Sequence, residues 1–427
     1  MLPKSFVIFK QRKENELLTK ERCTKDIIAG IIVGIIALPL SIALAISSGV
    51  TPEVGLITAI VAGFCISLFG GSSVQIGGPT GAFVVIVYGI IQQHGLNGLI
   101  LSTFMAGILL IVMGLLKVGN AIRYVPESIV VGFTSGIGVT LLMTQVKDFL
   151  GLSIEKVPSE FIHKLISYLS HLNTINIWTV FIGVLTVVIV KGAPKWSKVI
   201  PGSLCAIVIT TLLTYLFKLE TETIGSVFGE ISANFPVPSL PSTPLTQIPS
   251  LLRPTLTIAF LAGIESLLSA VVADDMLGTK QKHDSNMELV GQGIGNMASA
   301  LFGGLPATGA IARTAANIKN EGKTPLAGLT HAFTLLIIMF VLMPLIQFIP
   351  LATLSGILVM VSLNMIELDK MKALIKESAA TRWVVLTTFI LTVLFDLVIA
   401  VVVSMLLHFS LMALKKVKED KEKVLAE

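Results

Sequence analysis

The sequence predicts an all-α polytopic membrane protein of about fourteen transmembrane segments in a 7+7 inverted repeat, with short extended pieces in spans three and ten. Three observations predict this. The 427 residues are 53% hydrophobic and 13% charged, with a mean hydropathy of +0.87; a soluble chain carries about twice that charge. Apolar runs of roughly 17–25 residues, the length a bilayer core demands, recur from end to end. "LFGG" and "TGA" each occur twice, at Leu68–Gly71 with Thr80–Ala82 and at Leu301–Gly304 with Thr308–Ala310. A β-barrel is excluded, because its strands read as short alternating segments rather than continuous apolar runs.

In chain order, residues 1–25 form a polar, basic segment without a cleavable signal pattern. Spans one to seven are expected at 26–48, 53–69, 74–94, 96–117, 121–150, 175–191 and 199–217. A loop at 218–252 holds Pro236, Pro238, Pro241 and Pro244 and a single lysine. Spans eight to fourteen follow at 253–273, 288–303, 305–318, 325–346, 350–366, 381–396 and 398–414, and a tail at 415–427. The even number puts both termini on one side. On that side fall the terminal basic residues (Lys4, Lys10, Arg12, Lys13 and Lys20 among them) and Lys117, Arg123, Lys191, Lys195, Lys198, Lys280, Lys282, Lys319, Lys323, Lys370 and Arg382. Lysine and arginine accumulate in cytoplasmic loops, so both termini are expected in the cytoplasm of a cell whose inner or plasma membrane the chain crosses. The same placement explains the pI near 9.0 and net charge of +5 without a nucleic-acid partner. Cys23, Cys65 and Cys205 are far apart, with neither metal spacing nor a disulfide framework.

Equivalent points of the two repeats are seven spans apart. Seven is odd, so the second copy enters the membrane from the opposite side, the arrangement of many secondary transporters. Each copy contains a break: "GGPTGAF" at Gly77–Phe83 and "GGLPATGA" at Gly303–Ala310. Unwound backbone at membrane depth is tolerated only inside protein or beside a cavity. Proline favours the first turn of a helix and glycine permits close approach. Span three is therefore expected to enter extended over Val74–Ile76 and to start its helix near Pro79. Span ten is expected to be extended at Leu305 and helical from about Thr308. A helix start exposes free N–H groups and partial positive charge. Two such starts meeting at the midplane make an anion site, lined by Thr80, Gly81 and Ala82 and by Thr308, Gly309 and Ala310. By contrast, "GIIVG" (Gly30–Gly34), "GFTSG" (Gly132–Gly136) and "GQGIG" (Gly291–Gly295) read as helix-packing seams.

Ionisable residues at membrane depth default to function. Arg313, one turn into the second half-helix, is expected beside the site as a fixed cation. Glu265, mid-span eight with Ser266 and Ser269 nearby, is the candidate to carry a coupling proton or ligate Na⁺; a structural Glu265–Arg313 pair is the competing reading. Asp396 reads as the N-cap of the last helix, His331 as a satisfied packing histidine, and Glu53, Glu127 and Asp148 as solvated or capping. Asp274 and Asp275 lead into a polar loop. No metal-ligand cluster and no serine in a nucleophile elbow occur, so neither an enzyme nor a cofactor is expected.

Two long stretches carry a family resemblance: "DIIAGIIVGIIALPLSIALAISSGVTPEVGLITAIVAGFCISLFGGSSVQIGGPTGAF" and "ADDMLGTKQKHDSNMELVGQGIGNMASALFGGLPATGAIARTAANIKNEGKTPLAG". The chain resembles the SulP, or sulfate permease, family of anion transporters. The resemblance implies a core domain of 26–117 and 253–346, a gate domain of 118–217 and 347–414, a homodimer, and an elevator-like motion of core against gate. It implies an anion site lined by span one after Pro39 (Ser41), by Thr80, Gly81 and Ala82, by Glu265 and Ser269, and by Thr308 to Arg313. Leu40 and Leu44 stand where many sulfate-type members have glutamine and an aromatic, and Ala312 where some relatives have serine; bicarbonate and dicarboxylates thus stay open beside sulfate. The C-terminal STAS domain usual in the family is missing from the sequence. The expected function is secondary active transport of a small inorganic or carboxylate anion with H⁺. The alternatives are a Na⁺-coupled bicarbonate transporter and an uncoupled exchanger or channel. Arg313 argues against a nucleobase transporter of the same fold, and a non-transporting scaffold would not need Glu265 and Arg313 together at depth.

Overall fold

In the computed structural model, residues 2–10, 19–196, 201–231, 234–242, 245–278, 282–395 and 397–426 are described. Asp396 lies outside them, as do Arg12, Lys13, Lys198 and Lys280 of the basic pattern and Pro244 of the loop. Helix α1 (Lys4–Lys10) docks by its backbone on the end of the second span: the Lys4 N–H donates to the Gly70 carbonyl at 3.0 Å, and Ser5 donates to Leu68. Helix α2 (Lys20–Ser47) is capped by Thr19, whose hydroxyl accepts from the Arg22 N–H. Helix α3 (Pro52–Phe69) starts on a proline, suited to a position whose N–H is unsatisfied anyway. After strand β1 (Gly77–Gly78), α4 (Gly81–Leu115) contains two spans joined at Gly95, where φ is 69°. Glycine adopts that conformation without strain, and the chain reverses there.

Helices α5 (Glu127–Leu150), α7 (Ile177–Trp196) and α8 (Gly202–Phe217) are spans five to seven. Between α5 and α7, residues outside the expected spans form α6 (Phe161–Ser170). Short α9 (Ile224–Phe228) sits in the proline-rich segment. The second repeat is α10 (Ile248–Leu277), α11 (Ser285–Leu301), strand β2 (Thr308–Gly309), α12 (Ile311–Lys319) and α13 (Pro325–Ile346), then α14 (Leu351–Met365), the amphipathic α15 (Leu368–Glu377), α16 (Ala379–Leu394) and α17 (Leu397–Ala426). Asp274 lies in the last turn of α10, just before the expected loop, and its carboxylate accepts from the His283 N–H at 2.9 Å.

The packing falls into two sets. Helices α2, α3, α4 and α10 to α13 pack on one another; α5, α7, α8, α14, α16 and α17 form the other set. The expected glycine seams hold both together. A Cβ at Gly30 would lie 2.4 Å from the Ala327 carbonyl, one at Gly291 2.5 Å from Gly70 Cα, and one at Gly132 2.7 Å from the Val385 carbonyl. Among the described residues seven helices are long and apolar enough to cross a membrane, and four shorter apolar helices accompany them. One of the seven is the bent α4. With α4 counted as two spans and with α11 and the half-helix α12 added, the chain is a multi-pass membrane protein with the fourteen-span inverted repeat.

A candidate anion site between two half-helices

The two breaks meet. Strands β1 and β2 pair antiparallel, Gly77 opposite Gly309 and Gly78 opposite Thr308, and the Ala310 N–H donates to the Ile76 carbonyl at 2.9 Å. The helices begin slightly later than expected, α4 at Gly81 rather than Pro79 and α12 at Ile311 rather than Thr308. The reason is the ladder: residues committed to hydrogen bonds between the two strands cannot also turn into a helix. Thr80 and Ala310 become the N-caps, and neither caps through its side chain. The first N–H groups of both half-helices thus have no side-chain cap, the condition for an anion to take that place. The start of α12 is accessible: Ile311 is 37% exposed and Ala312 is exposed too, although both lie at the midpoint of a span.

Arg313 is 2% exposed. Its Nη2 donates to the Pro79 carbonyl at 2.7 Å, so the second break's cation grips the first break's backbone. Gly78, at φ 144°, makes room for it: a Cβ there would lie 2.5 Å from Arg313 Nη1. Arg313 Nε and Nη1 find no partner among the described residues. A buried charge with unsatisfied donors is costly unless something anionic completes it.

Glu265 is half-buried and accepts from the Thr80 hydroxyl at 2.9 Å. No ion pair joins it to Arg313. The Thr308 hydroxyl, expected to face the anion, instead donates to the Ala262 carbonyl of α10 at 3.0 Å. Ser269 is buried and donates to Thr314 at 3.5 Å. Ser41 is buried with its hydroxyl unpartnered among the described residues. Gly81, Ala82, Gly309 and Ala310 are all buried around the ladder. His331 does not match its expected role. It is fully buried, but neither ring nitrogen has a partner among the described residues.

The sulfate permease family model matches residues 23–388. The chain belongs to the sulfate permease family. It is 46% identical to the putative sulfate transporter YvdB of Bacillus subtilis, over 91% of this chain and 73% of that protein. It is 34% identical to the bicarbonate transporter BicA of Picosynechococcus, over 88% and 68% respectively. The solved transmembrane domain of a cyanobacterial BicA superposes with a TM-score of 0.81 at 33% identity, covering 90% of this chain and 98% of that one. SLC26A9 superposes at 0.84 with 18% identity, over 96% of this chain and 67% of that one, a likeness of fold. Members of the sulfate permease family are transporters, not enzymes.

What the sequence reading missed in this permease is how the unwound segments are satisfied. Buried Glu288, on α11, accepts from the N–H groups of Gly71 (2.9 Å) and Ser72 (3.0 Å), from Gln75 Nε2 (2.7 Å), from the Ser266 hydroxyl (3.1 Å) and from Gln292 Nε2 (2.9 Å). Asn296 bonds the Ala307 peptide twice, at 2.8 and 2.9 Å. Asn317 donates to the Val74 carbonyl at 2.8 Å, and Thr314 accepts from the Ile76 N–H at 3.1 Å. Thr58 accepts from Leu305 at 2.7 Å. The extended pieces are therefore hydrogen-bonded almost as a helix would be, by side chains. The signal was available: Glu288, Gln292 and Asn296 recur every four residues, a polar stripe along one face of an otherwise apolar span.

Proposed function

We propose that this permease is a secondary active transporter of a small inorganic or carboxylate anion, coupled to H⁺ and working by an elevator-like alternating access. The observation that carries the proposal is the pairing of two uncapped half-helix starts, at Gly81 and Ile311, around a buried arginine that has unpartnered donors. Two helix N-termini and one cation favour an anion; among the described residues no cluster of three or more His, Cys, Asp or Glu offers a comparable site for a metal cation. Sulfate and bicarbonate are the first candidates, because the relatives at 46% and 34% identity are named for them; a dicarboxylate is the third. Arg313 would supply fixed positive charge, Thr80 with Gly81 and Ala82 one side of the site, and Thr308 to Ala310 the other. Glu265, linked to the site through Thr80, would carry the proton.

The two packing sets support a division into a core at 26–117 and 253–346 and a gate at 118–217 and 347–414. The lysine and arginine pattern supports cytoplasmic termini in a plasma or inner membrane, and the family resemblance supports a homodimer. The deciding experiment is uptake of labelled sulfate, bicarbonate and fumarate into proteoliposomes under imposed proton or sodium gradients. Accumulation driven by a pH gradient supports the proposal. Accumulation that needs Na⁺ at constant pH would replace H⁺ by Na⁺, exchange without either would leave an uncoupled exchanger, and no uptake of any anion would refute the reading.

A further inference from the structure

The face opposite the two termini carries a cavity of about 730 Å³. It descends between α4, α5, α10 and α16 to Ala82, two residues beyond Thr80 and so beside the central site. Its roof is the start of α6. That helix has its faces reversed relative to a helix on a soluble protein. Ile162, Leu165, Ile166 and Leu169 point outward and are exposed, whereas Lys164 and Tyr168 point inward and are buried. An apolar outer face is what a helix lying in the membrane interface presents. The inward direction of Lys164 follows from it.

Lys164 is 4% exposed and lines the cavity. Its Nζ lies 5.8 Å above the Tyr88 ring, and among the described residues no carboxylate or hydrogen-bond acceptor pairs with it. The carboxylate closest in sequence, Glu160, is occupied by His163 at 2.7 Å. A lysine is the residue least expected to be buried without a counter-charge. The other charged or titratable groups lining the space are Glu160 and His163, which pair with each other, His94 on α4 and Arg253 on α10; α5 and α16 add only apolar side chains and threonines. Apart from the paired Glu160, the lining is basic or neutral.

We propose that this cavity is a second anion site, an outer waiting site where Lys164 holds a small oxyanion before it passes Ala82 to the central site. The proposal rests on the reading of the chain as an anion transporter. A positive, partly enclosed vestibule concentrates anions and raises their capture rate, by a factor of 10 to 10³. The oxyanion is either free substrate or the phosphate of a lipid headgroup, since α6 meets the lipid on its other face. Burial pulls Lys164 down to about 8. It is therefore charged below that pH and loses its hold on an anion as pH rises through it.

The test is uptake of labelled sulfate, whose charge is constant from pH 7 to 9, by wild type, Lys164→Gln and Lys164→Arg in oriented proteoliposomes. KM is measured from the face opposite the termini and from the termini face. For Lys164→Gln the ratio of the two KM values is expected to rise about tenfold at low ionic strength. Lys164→Arg should keep the wild-type ratio. In wild type that ratio should rise above pH 8, and in Lys164→Arg it should not. The effect persisting in vesicles of phosphatidylcholine alone assigns the site to free anion; an effect that appears only with added phosphatidylglycerol assigns it to lipid phosphate. An unchanged ratio for Lys164→Gln in both vesicles overturns the waiting site alone. Lys164→Arg behaving like Lys164→Gln also overturns it, because shape rather than charge would then matter. A wild type that takes up neither sulfate nor bicarbonate removes the central reading and this one together.

Discussion

Replacing Glu288 by glutamine tests whether the broken helix is held by side chains. The change is one oxygen for one NH₂ group at nearly constant volume. Glu288 Oε2 accepts from two backbone N–H groups, and Oε1 from Gln75, Ser266 and Gln292. Whichever position the new NH₂ takes, it faces at least two donors. Each lost hydrogen bond to a charged group is worth roughly 1.5–3 kcal/mol. The least damaging orientation forfeits two, or about 3–6 kcal/mol, and the surviving bonds lose their charge. That is a large part of the 5–15 kcal/mol by which folded proteins are stable. The loss falls on the entry to β1, so its first effect should be on the geometry of the Gly77–Gly309 ladder. The expected result is lost uptake together with a clearly lower thermal unfolding temperature in mild detergent. Glu288→Gln with wild-type stability and wild-type uptake would show that the five acceptor contacts do not position the break, and the account of how the unwound backbone is satisfied would be wrong.

Arg313→Ala should abolish anion uptake while the protein stays monodisperse in detergent; Arg313→Lys should restore only part, because a point charge replaces a planar fork that reaches Pro79. Thr80→Val should weaken substrate affinity and alter coupling, since it cuts the bond to Glu265, whereas Thr308→Val should cost about 1 kcal/mol of stability with little change in KM, because that hydroxyl is spent on Ala262. Glu265→Gln should keep counterflow of anion for anion but fail to concentrate substrate under a pH gradient; proton-driven accumulation surviving in the mutant would move the proton to another residue, with unpartnered His331 the first to examine.

The membrane class, the fourteen spans and the place of the two breaks were legible in the sequence, because hydropathy and Pro-Gly punctuation act locally. The glycine seams were legible for the same reason: spacing of four along a helix is visible in one dimension. What stayed hidden depends on partners distant in the chain. The partner of the Thr308 hydroxyl, the Ala262 carbonyl, lies 46 residues away in the chain. Helix α6 falls outside the expected spans because its apolar residues Ile162, Leu165, Ile166 and Leu169 are exposed, and its inward positions hold Lys164 and Tyr168. Asn317 and Thr314 satisfy Val74 and Ile76 from the other repeat. Polar residues that serve another segment's backbone carry no local signature beyond being polar where the surroundings are not.

The repeat is symmetric in backbone but not in charge, and the asymmetry bears on how the site can move. At the position in the first break that corresponds to Arg313, counted from the shared TGA, stands Val85. All the charge of the site therefore sits on the second repeat, yet it acts on the first. Arg313 holds Pro79, Glu265 accepts from Thr80, and Glu288 holds Gly71, Ser72 and Gln75. Both threonines of the breaks reach the same helix, Thr80 through Glu265 and Thr308 through Ala262, which makes α10 the common support. Sliding one half-helix past the other would break the ladder, the Arg313 contact and the Glu288 contacts at once, several buried hydrogen bonds with no water to replace them. Moving α2 to α4 and α10 to α13 together against α5 and α14 breaks none of these, and the surfaces that would slide there are mostly apolar side chains. The elevator-like motion proposed above, which carries both breaks as a single body, is the one these hydrogen bonds favour.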